Sequence, residues 1–119
     1  MSNRLEDLEI YALSEEFADE IWSIVIAWDY FAKDTVGKQL VRSADSNIAE
    51  GFGRFHYKEN KNFCYFSRGS LIETKTWIKK AQTRGLLAED KYLLLFQKLE
   101  TIHIKLNAYI KFIGKMSND

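Results

Sequence analysis

The chain has no proline in 119 residues, and this absence constrains its fold more than any other feature. Proline interrupts helices because it lacks a backbone N–H and because its ring clashes with the preceding turn. A chain without proline can therefore form long, continuous helices. The length suits one hydrophobic core and is too short for two ordinary domains. We predict a single, mostly helical domain over residues 1–119.

Apolar residues recur at spacings of three and four in two long stretches, and this is the period of an amphipathic helix. Asn3 and Glu6 have the spacing of a capping box, so helix 1 is expected to start near Arg4. Its apolar stripe consists of Ile10, Leu13, Phe17, Ile21, Ile24 and Trp28. The stripe of helix 4 consists of Tyr92, Leu95, Leu99, Ile102, Leu106, Tyr109 and Ile113.

Two more helices are predicted between these stretches. Helix 2 is expected to begin at an N-cap, Asp34 or Thr35, and to end at Gly53. Helix 3 is expected to run from about Tyr57 to Thr83, with Gly85 closing it. The residues predicted to face inward on helix 3 are Phe63, Phe66, Ser70, Trp77, Ile78 and Ala81. Four helices of similar length with short connections predict an all-α, antiparallel up-down-up-down four-helix bundle.

The net charge of zero conceals a strong asymmetry along the chain. Residues 1–32 contain one basic and eight acidic residues, so their net charge is −7. Residues 33–119 contain sixteen basic and nine acidic residues, so their net charge is +7. Such a division can steer an anionic partner to one side, or can let the acidic and basic faces of neighbouring copies meet. Helix 1 also has more apolar surface than one small bundle needs, which favours a homo-oligomer.

Small and polar residues are concentrated in helix 2 and helix 3, where they permit close approach of the two backbones. One interpretation is a polar pocket or a nucleotide site. The interpretation that we favour is a satisfied hydrogen-bond network that fixes the register of the two helices, because buried polar groups must be paired. The residues predicted to form this structural motif are Asn47, Glu50, Gly51, Gly69, Ser70 and Glu73.

The sequence contains little that could support catalysis. Glu100 and His103 form one Glu-x-x-His unit, whereas a di-iron bundle needs two such units. His56 and His103 are the only histidines, and neither is placed beside a nucleophile by the sequence. Cys64 is the single cysteine and suits a buried or half-buried thiol among aromatic neighbours. We predict that the protein is not an enzyme and that it needs no metal and no cofactor.

Basic residues interleaved with aromatic residues are a stronger indication of function. They surround the turn between helices 2 and 3 and follow the second half of helix 3. Such groups can contact phosphates and stack on unpaired bases, although a simple solvated face is an open alternative. The predicted nucleic-acid-binding residues are Arg54, Lys58, Lys61, Lys75, Lys79 and Lys80. Because no apolar run approaches the roughly 20 residues of a membrane span, we also predict a cytoplasmic protein without a membrane partner.

The chain contains the sequence NIAEGFGR at residues 47–54 and the sequence GSLIE at residues 69–73. In this combination the chain resembles the 23S rRNA intervening-sequence proteins, which are also called S23 ribosomal proteins, along nearly its whole length. The resemblance implies an antiparallel four-helix bundle that assembles as a ring of five copies. It also implies similarity to the accessory variability proteins of retroelements, which bind nucleic acid and a reverse transcriptase. It supplies no catalytic residues.

The junction between Ser46 and Asn47 is a few small residues shorter than is usual in that family, which predicts a kink, a restart or repacking of helix 2. Our leading hypothesis is an accessory protein that binds RNA or DNA. The alternative is a scaffold that binds a partner protein and has no nucleic-acid role.

Overall fold

The structure is a computed structural model that describes the backbone of residues 2–46 and 57–117 and the side chains of residues 9–46 and 65–112. These residues form helices and connecting turns without a β-strand. Helix α2 has three segments that follow one another directly: α-helical Tyr30–Ala32, π-helical Lys33–Gly37 and α-helical Lys38–Asp45. The other helices are α1 (Ser2–Val25), α3 (Tyr57–Thr83) and α4 (Glu89–Ser117).

Ion pairs show that α1 and α4 run in opposite directions. Near the start of α1, Glu9 pairs with Lys105 late in α4, with 2.7 Å between Oε1 and Nζ. Near the end of α1, Glu20 pairs with Lys91 at the start of α4, with 2.7 Å between Oε2 and Nζ. The same carboxylate also contacts Lys98, which lies further along the same side of α4, with 2.6 Å between Oε1 and Nζ. The pairs therefore cross-link α1 to one side of α4 along much of their length.

Contacts near both ends of α3 and α4 show that this pair is antiparallel as well. Arg68 of α3 bonds to Asn107 of α4, whereas Lys79 lies over the ring of Tyr92 near the start of α4. Gly37, early in α2, packs against Val25 at the end of α1. Each helix contacts its neighbour in the chain, and α1 also contacts α4, so the four helices close around one core. The predicted all-α four-helix bundle is confirmed.

The apolar stripe of α4 forms one wall of the core. All four helices contribute to this core, and the side chain of Leu99 in the middle of α4 has 0% of its surface exposed. The prediction for α4 is therefore confirmed, with Ile113 outside the described side chains. The largest fully buried side chains are Ile10, Phe17, Ile21, Leu40, Leu71, Ile78, Leu95, Leu99, Ile102, Leu106 and Tyr109.

The start of α2 differs from the prediction. The N-cap is Asp29, whose Oδ1 accepts a hydrogen bond from the backbone N–H of Ala32 at 2.9 Å. This bond satisfies one of the amide groups that a helix start leaves unpaired, so the helix begins five residues before Asp34. Asp34 lies within the π-helical segment and forms an ion pair with Lys38 at 3.6 Å. Because α1 ends at Val25, Trp28 lies in the turn and not in α1.

Gly37 ends the π-helical segment and lies where α2 packs against the end of α1. A Cβ atom at this position would lie 2.6 Å from Cγ1 of Val25 and 3.2 Å from the carbonyl oxygen of Ala32. Both Gly37 and Val25 are buried, so neither residue has open space on the side where they face each other. The absence of a side chain at Gly37 therefore lets the two helices pack at this distance.

The bounds of α3 agree with the prediction, and Gly85 closes it with a positive φ of 79°. Ser70, Ile78 and Ala81 are buried as expected, and Trp77 is half-buried. The prediction for Phe66 was wrong, because its side chain is 62% exposed. Its neighbour Ser67 takes the buried position on that turn, since successive helical residues are rotated by about 100°. The side chain of Phe63 lies outside the described residues.

The α-helical part of α2 ends at Asp45, one residue before the short junction noted in the sequence. Ser46 caps the end with φ of −75° and ψ of 9°, and its N–H donates to the carbonyl oxygen of Arg42. Whether helix 2 is kinked, restarted or repacked after Ser46 stays a prediction, because the residues that follow lie outside the described ranges. The predicted continuation of helix 2 to Gly53 lies outside the described residues.

Candidate nucleic-acid interface

The second half of α3 and the turn after it carry a group of exposed cations. Lys79, Lys80 and Arg84 are all exposed to solvent. Lysine and arginine are favourable at this end of a helix because the helix dipole places partial negative charge there. Lys75 lies one turn earlier than Lys79 on the side of α3 that faces α4. The helix therefore presents several positive charges near one end of the bundle.

Lys79 and Lys80 are held by contacts that leave their charges uncompensated. The Nζ atom of Lys79 lies 5.2 Å from the ring centroid of Tyr92, and it donates to Oε1 of Gln82 at 3.3 Å. The Nζ atom of Lys80 lies 5.5 Å from the ring centroid of Trp77. Within the described part of the chain neither ammonium forms an ion pair, so both charges are available to an anion. The rings restrict the side chains by cation–π attraction.

Lys75 has a different environment from its two neighbours. Its side chain is partly buried between α3 and α4, where Nζ bonds to the carboxylate of Glu100. The same ammonium lies 2.8 Å from Nδ1 of His103 and 5.4 Å from the ring centroid of Phe96. The positive charge of Lys75 is therefore compensated inside the bundle, which makes it less available to a phosphate than Lys79 or Lys80.

The charges in this network shift the titration of its two partners. The hydrogen bond from Lys75, together with its positive charge, lowers the pKa of Glu100, so this carboxylate is ionised at neutral pH. Burial and the positive charge of Lys75 lower the pKa of His103, with a smaller contribution from Arg68. His103 is consequently neutral at pH 7, and its Nδ1 can accept the hydrogen bond that Lys75 donates.

The substitution His103→Gln is expected to reduce the loss of stability on mild acidification. A histidine whose pKa is lower in the folded than in the unfolded state stabilises the fold fully above the unfolded pKa of about 6.5. This contribution is lost as the pH falls from that value through the folded pKa. A glutamine can still accept from Lys75 but does not titrate, so the variant should lack this small loss. Urea unfolding at about pH 7.5 and about pH 5.5 measures it.

This pH range avoids most of the titration of the two acidic residues whose pKa is lowered. Burial raises the pKa of Glu20, but hydrogen bonds from Lys91 and Lys98 outweigh that effect, and the net pKa is lowered. Glu20 and Glu100 therefore lose their contributions only below their ordinary pKa near 4.5. An equal loss of stability in the wild type and in His103→Gln would show that His103 does not cause it.

The predicted structural motif is only partly within the described residues. The hydroxyl of Ser70 donates to the backbone carbonyl of Ser46 at 3.4 Å and so joins α3 to the end of α2. Thr74 is fully buried and donates to the carbonyl of Ser70 at 2.7 Å. Gly69 and Glu73 are exposed, and a Cβ atom at Gly69 would contact nothing within 4 Å, so the close approach of the helices does not depend on that glycine.

The remaining predicted residues are not described in full. Asn47, Glu50, Gly51 and Arg54 lie outside the described residues, whereas the side chains of Lys58 and Lys61 lie outside although their backbone belongs to α3. Their proposed roles stay predictions, as do those of Lys75, Lys79 and Lys80. The contacts of Lys75 with Glu100 and His103 were not predicted from the sequence. The i, i+3 spacing of Glu100 and His103 placed them on one side of α4, but nothing in the sequence paired that side with Lys75.

Two surface depressions lie along α4. One of about 280 Å³ lies between α1 and α4. Its lining residues are Leu13, Glu16, Phe17, Lys98, Thr101 and Ile102. The other, of about 600 Å³, lies on the outer side of α4 and includes Leu93, Gln97 and Glu100. Among the residues that the structure describes, no group of three His, Cys, Asp or Glu side chains could hold a metal ion. No helix in the described ranges is long and apolar enough to cross a membrane.

These features place the protein in the class of antiparallel four-helix bundles, with a cationic end on α3 that is flanked by aromatic rings. The sequence identifies the family within this class. The family model described as "23S rRNA-intervening sequence protein" matches residues 6–108, so the chain belongs to that family. The resemblance carried by residues 47–54 and 69–73 is thereby confirmed. No curated protein matches the chain closely enough to be counted as a relative.

Proposed function

We propose that this protein is a non-enzymatic accessory protein that binds RNA or DNA through the second half of α3. The observation that carries the proposal is the pair of exposed lysines, Lys79 and Lys80, whose ammonium groups lie over aromatic rings and form no ion pair in the described residues. Exposed cations that are already held in place contact phosphates with little loss of side-chain entropy. Membership of a family named for an intervening sequence of ribosomal RNA supports the proposal.

The geometry favours contacts to phosphates over contacts to bases. The rings of Tyr92 and Trp77 each have a lysine ammonium over them, so these faces are less accessible to a nucleobase. Phosphate contacts give affinity without reading the sequence. We therefore expect binding with little base preference from this region, whereas the predicted contribution of Arg54, Lys58 and Lys61 at the start of α3 is a separate part of the proposal.

The proposal includes association of identical chains in the cytoplasm, and the family resemblance suggests a ring of five. Large apolar side chains on α1 support association, because Trp22 is 56% and Ile26 is 54% exposed. A monomer would leave these side chains in contact with water, whereas an interface would bury them. Five copies would also repeat the cationic end of α3 and so multiply the number of phosphates that one assembly contacts.

Replacing Lys79, Lys80 and Arg84 together by glutamine is expected to weaken binding and to flatten its salt dependence. Each phosphate contact contributes roughly 0.9 to the slope of log affinity against log salt on duplex DNA and about 0.7 on a single strand. Loss of three contacts should therefore reduce the slope by roughly 2 to 3. Fluorescence anisotropy with a structured RNA and a matched DNA duplex, titrated at several salt concentrations, measures both quantities.

A control variant with the same change of net charge carries glutamine at Lys91, Lys98 and Lys105. These lysines face α1 and are paired with Glu9 or Glu20, so they should contribute little to phosphate binding. Equal slopes for the wild type and the α3 variant would contradict the assignment of this surface. If the wild type does not bind either nucleic acid even at low salt, the nucleic-acid role is overturned and the scaffold alternative is favoured.

A further inference from the structure

We propose that copies of this chain associate head to tail, with an acidic face on α1 of one copy covering a basic face on α3 and α4 of the next. The acidic face consists of Tyr11, Glu15, Asp19, Trp22 and Ile26. The basic face consists of Tyr65, Arg68, Ile72, Ile104 and Lys111. This inference rests on the self-association included in the proposed function, and it assigns the two surfaces that would meet.

The acidic face is a single stripe along the outside of α1. Its residues are spaced by three and four, so they project from the same side of the helix. Tyr11 is 40%, Trp22 is 56% and Ile26 is 54% exposed, which is unusual for three large apolar side chains on one short stripe. Glu15 and Asp19 lie between them and are also exposed.

The carboxylates of the acidic face differ from two other carboxylates of α1, Glu9 and Glu20. Glu9 and Glu20 are each paired with lysines of α4. Glu15 and Asp19 form no ion pair with any residue that the structure describes. Burial, together with the charge of Asp19, raises the pKa of Asp45 on the neighbouring helix, so the carboxylates of Asp19 and Asp45 repel each other. A cation from another molecule would relieve this repulsion.

The basic face is formed where α3 and α4 lie side by side. Arg68 donates from Nη1 to Oδ1 of Asn107 at 3.1 Å, and its guanidinium lies 4.9 Å from the ring centroid of Tyr65. Both contacts are to uncharged groups, so the charge of Arg68 is not compensated. Lys111 is exposed one turn beyond Asn107 and likewise has no ion-pair partner in the described ranges.

The apolar residues of the basic face match those of the acidic face in kind. Tyr65 is 43%, Ile72 is 52% and Ile104 is 66% exposed. Each face thus combines three large, exposed apolar side chains, at least one of them aromatic, with two uncompensated charges of one sign. Aromatic and arginine side chains of this kind contribute most of the binding energy in protein interfaces. Opposite charges on the two faces would orient the approaching copies correctly and would increase their rate of association.

The charges also determine which faces can meet. Two acidic faces would repel each other, and so would two basic faces, which excludes a symmetric pairing of identical surfaces. In the proposed pairing the acidic face of each copy meets the basic face of a different neighbour, and this heterologous contact produces a closed ring or an open filament. Both faces of one copy can be covered at once because they lie on different helices. Lys79, Lys80 and Arg84 belong to neither face, so association and phosphate binding use separate residues.

The test uses charge reversal of each face, followed by reversal of both faces in one chain. Glu15→Lys with Asp19→Lys, and separately Arg68→Glu with Lys111→Glu, should each raise the dissociation constant of the assembly roughly 10-fold or more. The chain that carries all four substitutions should recover to within about 3-fold of the wild type, because its faces are again complementary. Sedimentation velocity over a range of protein concentrations gives these constants.

Two further variants control for folding and for net charge. Lys33→Glu with Arg42→Glu reverses two exposed cations of α2 that lie outside both faces, and it should leave assembly within about 2-fold of the wild type. Trp22→Ser removes an exposed ring without changing charge and should weaken assembly roughly 10-fold. Circular dichroism establishes that each variant is helical. If a charge-reversed chain does not fold, Trp22→Ser and Arg68→Gln test the two faces separately.

The outcomes separate this inference from the proposed function. If the wild type and both double variants assemble equally well, the assignment of the faces is overturned and self-association is left intact. Failure of the fourfold variant to recover, with both double variants folded and dissociated, would overturn the pairing of these two faces with each other. A wild type that is monomeric at all concentrations would overturn both self-association and this inference, while anisotropy would still measure nucleic-acid binding on its own.

Discussion

Replacing Leu99 by alanine is expected to lower the free energy of unfolding by about 3 kcal/mol, within the range of 2 to 5 for buried leucines. Leu99 has 0% of its surface exposed and lies at the middle of α4, where residues of the other helices surround it. Truncation removes buried apolar contacts and leaves a cavity that the rigid helices cannot fill. Urea unfolding monitored by circular dichroism measures the change.

Leu94→Ala is the matched control for this prediction. It makes the same chemical change on the same helix, but Leu94 is 53% exposed. We expect a loss below about 1 kcal/mol, because the side chain is already largely in water. Similar losses for the two variants would mean that α4 does not present its Leu99 side to the core, and the arrangement of the bundle would then have to be revised.

Gly37→Ala is expected to lower the free energy of unfolding by about 1 to 3 kcal/mol, although alanine is the better helix former by about 1 kcal/mol. The added Cβ atom would lie 2.6 Å from Cγ1 of Val25 and 3.2 Å from the carbonyl oxygen of Ala32. Val25 is β-branched and buried, so it has little freedom to move aside. The steric cost should therefore exceed the gain in helix propensity.

Gly69→Ala is the corresponding control, because a Cβ atom at Gly69 would meet nothing within 4 Å. This substitution should stabilise the protein by up to about 1 kcal/mol. Val25→Ala combined with Gly37→Ala should be less destabilising than the sum of the two single changes, since the smaller side chain makes room for the new methyl group. Simple additivity of the two changes would show that Val25 is not the obstacle.

The sequence predicted most of the fold because the longest helices have local signals at both ends. The period of α4 and the glycine that closes α3 are properties of short segments, and the structure contains both. The start of α2 was misplaced because Asp29 and Asp34 are both acceptable N-caps by residue type. The choice between them depends on how tightly the chain turns after Val25, and this depends on the packing of α1 against α2.

The candidate site was less predictable than the fold. The sequence indicated which cations lie on α3, but it treated Lys75, Lys79 and Lys80 as equivalent. In the structure Lys75 is compensated by Glu100 and His103, whereas the other two are not. That difference arises from the register between α3 and α4, which is set by interlocking core side chains far apart in sequence. Phe66 was assigned to the core for a related reason, because its residue type favours burial over that of Ser67, whereas the orientation of α3 buries Ser67 and exposes Phe66.

The π-helical segment Lys33–Gly37 has a consequence for how this chain could change over evolutionary time. A π-turn contains one residue more than the α-helical turn that it replaces, so it sets the angular phase of all the residues that follow it. If the same residues all adopted α-helical geometry, the extra residue would rotate Leu40 and Ala44 by about 100° relative to the residues before the segment, and both side chains would leave the core. The wider π-turn absorbs that residue, so removing one residue from the segment would restore a regular α-helix with Leu40 and Ala44 still in the core. The segment is therefore a place where the length of α2 can change by one residue without changing which side chains face the core.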